Sequence, residues 1–262
     1  MPETEPLVRY EPEDGIAVVT LNRPPVNALS RPLWLALLEA LDKAGDDETI
    51  KCIILTASGD RVFSGGADIN EFLGISQDED ARRERARFLT SAFTRVAHAT
   101  LPVICAINGT AVGGGVAITS LCDYRIAAEH ALFGMPEIDR GTVAAGGSTF
   151  MRLGVPNGTI REMILTGRKL SAHEALAAHF VDKVVPADQL MPAAMELARQ
   201  ISSKARLALV LTKRSICDAE LVTNNWLKAY EDSMELGIQL RGSKEGIEGA
   251  RAFLEKRSAS FT

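Results

Sequence analysis

Histidine is scarce in this sequence, with 4 among 262 residues, and aromatic residues make up only 5%. Histidine is the commonest acid–base and metal-ligating side chain, so a chain this short of it must find its chemistry elsewhere. His98, His130, His173 and His179 fall in helical or loop contexts with no ligand spacing between them, and each reads as a solvated or core histidine. Cysteine offers no metal site either: Cys52, Cys105, Cys122 and Cys217 stand in or beside apolar runs without a C-x-x-C pair. That describes reduced core thiols rather than a zinc site or a disulfide framework. No apolar run approaches the roughly 18 residues of a membrane-spanning helix. The opening segment, MPETEPLVRYEPEDG, has neither the apolar stretch of a signal peptide nor the arginine-rich pattern of a transit peptide, so a cytoplasmic location is expected. Positive charge is lacking as well: 29 Lys and Arg against 34 Asp and Glu leave a formal charge of −5, which disfavours a nucleic-acid partner. Neither G-x-x-x-x-G-K-[ST] nor G-x-S-x-G occurs, which excludes a P-loop and an α/β-hydrolase serine elbow.

What is present is an ordinary globular balance, 46% hydrophobic and 24% charged, with length for one generous core or two modest ones. Residues 16–21 (IAVVTL) and 52–56 (CIILT) are β-branched runs bounded by turn residues. Between them Ser30 opens a helical pattern with Trp34, Leu37, Leu38 and Leu41 on one side. A charged amphipathic helix over 78–98 precedes a third buried strand at 103–107 (VICAI), and 124–128 with 131–133 predict two more short strands. Strands alternating with helices imply an α/β fold with crossovers. After about Gly146 the texture turns helical, with a strand at 181–185 and a capping box at Ser171 and Glu174. From Pro186 onward helix follows helix, and a helical tail too short to own a core is expected to pack on a neighbour.

Two glycine-bearing turns stand out, FSGGADI at 63–69 and NGTAVGGGV at 108–116. Each is expected to run from a strand through a loop into a helix, so that free N–H groups and the positive end of a helix dipole meet at one spot. Such a place binds an anion or a developing oxyanion. Taken alone, either cluster also reads as a tight turn with close helix packing. Gly113-x-Gly115 begins like a dinucleotide loop, but Ile118 stands where the third glycine belongs.

The motifs together carry a resemblance. Asn22, Arg23 and Pro24 with Asn27, Ala28 and Leu29 come first, then FSGGADI, then NGTAVGGGVAI with Cys122 and Asp123. FGMPEI at 133–138 with Gly141, LTGRKLSAHEA at 165–175 and FLEKR at 253–257 complete the order. The sequence resembles the enoyl-CoA hydratase/isomerase (crotonase) superfamily over nearly its whole length. The resemblance implies a spiral of ββα units in residues 1–200, forming an acyl-CoA-binding catalytic core. It implies a helical C-terminal region in 201–262 that builds homotrimers or, as dimers of trimers, homohexamers.

It also implies the chemistry. The thioester carbonyl of an acyl-CoA substrate would sit between the backbone N–H groups of Ala67 and Gly114, with no metal or redox cofactor required. Acid and base work in a family hydratase is usually shared by two glutamates; one corresponds to Glu137, and the other falls on Ala117. Without the family frame Glu137 reads as a surface or turn carboxylate. An alanine can neither orient water nor move a proton, so a double-bond shift, which one base can perform on one face, is placed ahead of hydration. Hydratase-lyase, hydrolase and decarboxylase chemistry stand behind these. A dienoyl-CoA isomerase is disfavoured, since that branch carries aspartates where Ala117 and Ala145 stand. Coenzyme A is expected against the loop holding Arg23, Val26 and Ala28 and the backbone of Ala67, Asp68 and Ile69. Phe253 and Lys256 would reach in from a neighbouring subunit, although the same two residues suit an ordinary amphipathic final helix. Asp68 by itself reads as a helix-start residue.

A different class is an RNA-binding relative using Arg82, Arg83, Arg85 and Arg87. Asp78, Glu79, Asp80 and Glu84 are interleaved with them, which favours a solvated, ion-paired helix face.

Overall fold

In the computed structural model, which describes residues 5–75 and 77–260, the chain opens with a hairpin of β1 (Val8–Glu13) and β2 (Ile16–Leu21). Helix α1 (Arg31–Asp46) follows; the Ser30 hydroxyl accepts from the Leu33 amide, and Leu33, Trp34, Leu37, Leu38 and Leu41 are buried. The chain then repeats one unit: a long buried strand, a three-residue strand and a helix. β3 (Cys52–Ala57) and β4 (Val62–Ser64) lead into α2 (Ile69–Gly74) and α3 (Glu79–Ala97). β5 (Val103–Ile107) and β6 (Thr110–Val112) lead into α4 (Gly114–Leu121). β7 (Tyr124–Ala128) and β8 (Leu132–Gly134) lead into 3-10 segments at Ile138–Arg140 and Ala145–Leu153 and then α5 (Asn157–Thr166). β9 (Lys169–Ser171), α6 (Ala172–Ala177), β10 (Lys183–Val185), α7 (Leu190–Ser202), α8 (Arg206–Asn224), α9 (Trp226–Arg241) and α10 (Lys244–Leu254) finish the chain.

The long strands form one sheet in the order β1-β2-β3-β5-β7-β10, and the short ones a second in the order β4-β6-β8-β9. Pairing is parallel throughout except at β1 and β9, each on an edge. Alternation between the two sheets, one strand each per turn, is the ββα spiral that the resemblance implied. The large sheet is covered on both faces, which is why its central strands are unbroken apolar runs. Ile53, Leu55, Val103, Cys105 and Ile107 pack toward α1 and α3. Cys52, Ile54, Ile104, Ala106 and Ile126 face Leu190, Ala194 and Ala198 of α7. All four cysteines are buried free thiols, and burial pushes the Cys52 thiol up to about 12.

The strands that differ from the sequence expectation are β1, whose residues are mostly exposed, and short ones. β4, β6 and β9 have three residues each, too few for a period of two to register. Both glycine turns therefore spring from the small sheet, not from the long strands before it. The strand expected at 181–185 is confined to Lys183–Val185. The C-terminal helices lie on the rest of their own chain: α9 against α3 and the Ala145–Leu153 segment, α10 against Ile138–Arg140 and α2. Lys213 of α8 is buried with its Nζ 2.8 Å from Asp123 and 2.9 Å from the Leu101 carbonyl, and Asp123 also accepts from the Val103 amide at 2.7 Å. Among the described residues no helix is long and apolar enough to cross a membrane.

Candidate active site

The two glycine turns meet. Residues Leu29 and Ala67 form an isolated parallel bridge in which the Leu29 amide donates to the Gly66 carbonyl at 2.7 Å and the Asp68 amide to the Leu29 carbonyl at 3.4 Å. A parallel bridge of this kind leaves the amide of the middle residue pointing away from its neighbour, so the Ala67 N–H faces the other side. Gly114 opens α4, where the first amides of a helix have no partner of their own. Among the described residues neither the Ala67 nor the Gly114 N–H donates a hydrogen bond. A methyl built on Gly66 would stand 3.5 Å from the Gly114 nitrogen, and one built on Gly114 3.9 Å from the Ala67 nitrogen. Two open donors thus border one spot, the arrangement an oxyanion needs. Gly66 and Gly113 hold φ of 82° and 55°, conformations that a side chain would strain.

Glu137 completes the spot. It follows β8 and Pro136 at the start of the Ile138–Arg140 turn, and its Oε1 lies 2.8 Å from where a methyl on Gly113 would be. The residue keeps some accessible surface, but its Oε2 is closed to solvent and accepts no hydrogen bond. Burial pushes the carboxyl up to about 7, against the opposing pull of its own backbone amide and of Arg140 and Arg241. A carboxyl poised near neutrality with no hydrogen bond at Oε2 is suited to take and return a proton.

These groups line a cavity of about 90 Å3, whose apolar walls include Leu89, Phe93 and Met234. None of the four histidines lines it. Ala117 is fully buried in α4, and a methyl on Gly146 would stand 2.8 Å from its Cβ, so the position of the family's second glutamate is closed by packing.

The loop expected at coenzyme A is held rigidly. The Arg23 guanidinium donates to the Ala28 carbonyl at 2.9 Å and to Asp68 at 2.7 Å, and Val26 takes the Gly65 amide on its carbonyl at 2.7 Å. Asp68 caps α2 through the Asn70 amide at 3.0 Å, in keeping with a helix-start residue. Burial alone would raise its carboxyl, but Arg23 and the Asn70 amide hold it below its ordinary value. Ile69 lines the cavity as the first residue of α2. Phe253 lies on α10, and its ring stacks under the Arg140 guanidinium of the same chain at 4.1 Å. The ring also keeps an exposed face. Lys256 follows α10, exposed, with φ 52°.

Among the cavity residues that sequence reasoning did not place there are Arg85, Tyr230 and Arg241. The stretch at 82–87 was read as one solvated face, and the structure divides it. Arg82 is buried and Arg85 lines the cavity, whereas Arg83 is paired with Glu79 and Glu235 at 2.9 and 2.8 Å and Arg87 is exposed. The four arginines thus present no common surface to a phosphate backbone. Their signal lay in the periodicity: Arg82 and Arg85 continue the stripe of Ala86, Leu89 and Phe93 that faces inward.

The Enoyl-CoA hydratase/isomerase family model matches residues 11–262. The chain is similar to crotonyl-CoA hydratase of Syntrophomonas wolfei, 35% identical over 254 residues and 96% of both chains. At 33% identity over 253 residues, 96% of this chain and 99% of the other, it is similar to a Mycobacterium tuberculosis (7aS)-7a-methyl-1,5-dioxo-2,3,5,6,7,7a-hexahydro-1H-indene-carboxyl-CoA hydrolase. The solved structure of an enoyl-CoA hydratase/isomerase from Xanthobacter autotrophicus Py2 superposes with a TM-score of 0.88 at 30% identity, covering 99% of this chain and 100% of that one. From the spiral, the paired amides and these likenesses together, the chain belongs to the enoyl-CoA hydratase/isomerase family of the crotonase superfamily.

Proposed function

We propose that the protein forms a thioester enolate from an enoyl-CoA and shifts its double bond from the 3,4 to the 2,3 position, with Glu137 as the only acid–base group. The Glu137 carboxylate removes a proton from C2, and the electron pair moves into the thioester carbonyl, whose oxygen is held by the Ala67 and Gly114 amides. The resulting dienolate collapses as the Glu137 carboxyl returns the proton to C4 on the same face. Removing one oxyanion donor costs roughly 3–4 kcal/mol in other enzymes. The observation that carries this reading is that Glu137 is the sole carboxylate among the described residues lining the cavity, with its carboxyl against the paired amides.

Hydration is the second reading, favoured by relatives such as the crotonyl-CoA hydratase. It asks the same carboxyl to activate water and to protonate C2. Incubation with 3-enoyl-CoA and, separately, with 2-enoyl-CoA in H₂¹⁸O, with products resolved by mass and by absorbance of the conjugated thioester, distinguishes the two. Conversion of the first substrate without ¹⁸O uptake supports isomerisation; fast ¹⁸O uptake from the second overturns that preference.

Coenzyme A is assigned to the Arg23–Ala28 loop and the backbone of Ala67, Asp68 and Ile69, with Phe253 and Lys256 at its far end. A trimer or hexamer built through residues 201–262 belongs to the same reading. In its support, α8 leaves Leu207, Leu211 and Ile216 exposed. Light scattering behind a sizing column reads the assembly directly.

A further inference from the structure

The cavity wall holds a hydroxyl that the double-bond shift does not use. Two side-chain oxygens of the lining, Glu137 Oε2 and Thr142 Oγ1, are closed to solvent and have no hydrogen-bond partner among the described residues. Buried polar groups are as a rule paired, and leaving one unpaired opposes folding. Glu137 has its task in moving the proton. Thr142 has none in that sequence of steps, since the oxyanion takes the Ala67 and Gly114 amides and carbon exchanges its protons with the carboxyl alone.

Both residues belong to one turn. The Glu137 carbonyl accepts from the Arg140 amide at 3.0 Å and from the Thr142 amide at 3.1 Å, and the Ile138 carbonyl accepts from the Gly141 amide at 3.1 Å. Gly141, at φ 58°, holds the left-handed conformation that glycine adopts without strain, and it brings the chain back to Glu137 at Thr142. Helix α4 adds no polar side chain, since of its residues only Gly114 lines the cavity. A buried water requires roughly 10–15 Å3 of space and about two to four polar partners. The cavity offers about 90 Å3 and these two oxygens. A carboxylate only accepts hydrogen bonds, and a hydroxyl both accepts and donates. A water that donates one O–H to Glu137 Oε2 and the other to Thr142 Oγ1 keeps a lone pair for attack.

We propose that Thr142 orients a water molecule against Glu137 and so gives the site a hydration activity beside its double-bond shift. The inference rests on the acyl-CoA reading above and adds a second reactant to it. The Glu137 carboxylate takes one proton from the water as the water oxygen bonds to C3 of a 2-enoyl-CoA. The π pair of the C2–C3 bond moves into the thioester, whose oxygen is held by the paired amides. The Glu137 carboxyl then gives that proton to C2, so one water is added across the double bond and the carboxylate is restored. Thr142 exchanges no proton and fixes the direction of attack.

Two rates measured on the full chain test it: ¹⁸O uptake from H₂¹⁸O into 2-enoyl-CoA, and conversion of 3-enoyl-CoA to the conjugated thioester. Wild type is expected to take up ¹⁸O, more slowly than it shifts the double bond. Thr142→Val keeps the shape of the side chain and loses its hydroxyl. It is expected to lower the ratio of uptake to double-bond shift about tenfold, the worth of one hydrogen bond to the attacking water, and Thr142→Ser to restore most of that ratio. Thr142→Ala takes the place of Thr142→Val if the latter does not fold. A ratio unchanged on loss of the hydroxyl, a ratio that serine does not restore, or no ¹⁸O uptake by wild type overturns the proposal. Conversion of 3-enoyl-CoA in those cases leaves the acyl-CoA reading intact. Failure of wild type to act on either substrate overturns both.

Discussion

Gly146 stands so close to Ala117 that a methyl group added to it would lie 2.8 Å from the Ala117 Cβ and 3.2 Å from Met135 Cε. The alanine is therefore one half of a packed contact rather than a glutamate merely lost from an open site. Ala117→Glu has to force the Ala145–Leu153 segment outward. Overpacking of this kind costs about 1–3 kcal/mol, and an unpaired buried carboxyl adds more. The variant is expected to unfold at lower denaturant and to gain no hydration rate, measured as ¹⁸O incorporation into 2-enoyl-CoA.

In the proposed mechanism Glu137 sets the pH dependence. As a base it must be ionised, and burial places its titration at about 7. The kcat/KM for 3-enoyl-CoA is expected to climb about tenfold per pH unit below that value and to level above it. A profile flat from pH 5 to 8, taken with initial rates in constant-ionic-strength buffers, contradicts this assignment.

The same carboxyl opposes folding when ionised. Its folded pKa, about 7, is above its ordinary value of 4.5, so the folded state holds the proton more tightly. That stabilisation is complete below about pH 4.5 and is lost as the pH rises to 7, up to about 3 kcal/mol in all. Glu137→Gln removes the titration. Denaturant unfolding at pH 8 is expected to show the variant about 1–3 kcal/mol more stable than wild type, with the gap closing toward pH 5.

Gly113 is constrained twice. Its φ is 55° with ψ −123°, and a methyl there would stand 2.8 Å from Glu137 Oε1. Gly113→Ala is expected to cost about 1–3 kcal/mol of backbone strain and to displace the carboxyl from the paired amides. Turnover should then fall by more than stability explains, which comparison of rate with folded fraction at one temperature reads directly.

Much of this was legible in the sequence, for identifiable reasons. Ser30 and Asp78 are side-chain caps, and each starts its helix where the capping pattern puts it. The central strands are buried on both faces, so their runs announce themselves. Ala67, Gly114 and Glu137, drawn from three separate motifs, border one cavity. The spiral could not be read from periodicity, because its second sheet is made of three-residue strands. Arg85 and Arg241 escaped notice because they are separated by more than half of the chain and each looks like a solvated helix residue. Only the packing of α9 on α3 brings them to the same wall.

In the proposed mechanism a single carboxyl, Glu137, moves the proton. The measurement that tests it most directly is turnover of 3-enoyl-CoA by Glu137→Gln, whose folding is verified by the unfolding curves above. A loss of about 10²- to 10⁴-fold in kcat is expected, the usual worth of a general acid–base group, with substrate still bound. Turnover undiminished by the substitution would contradict it.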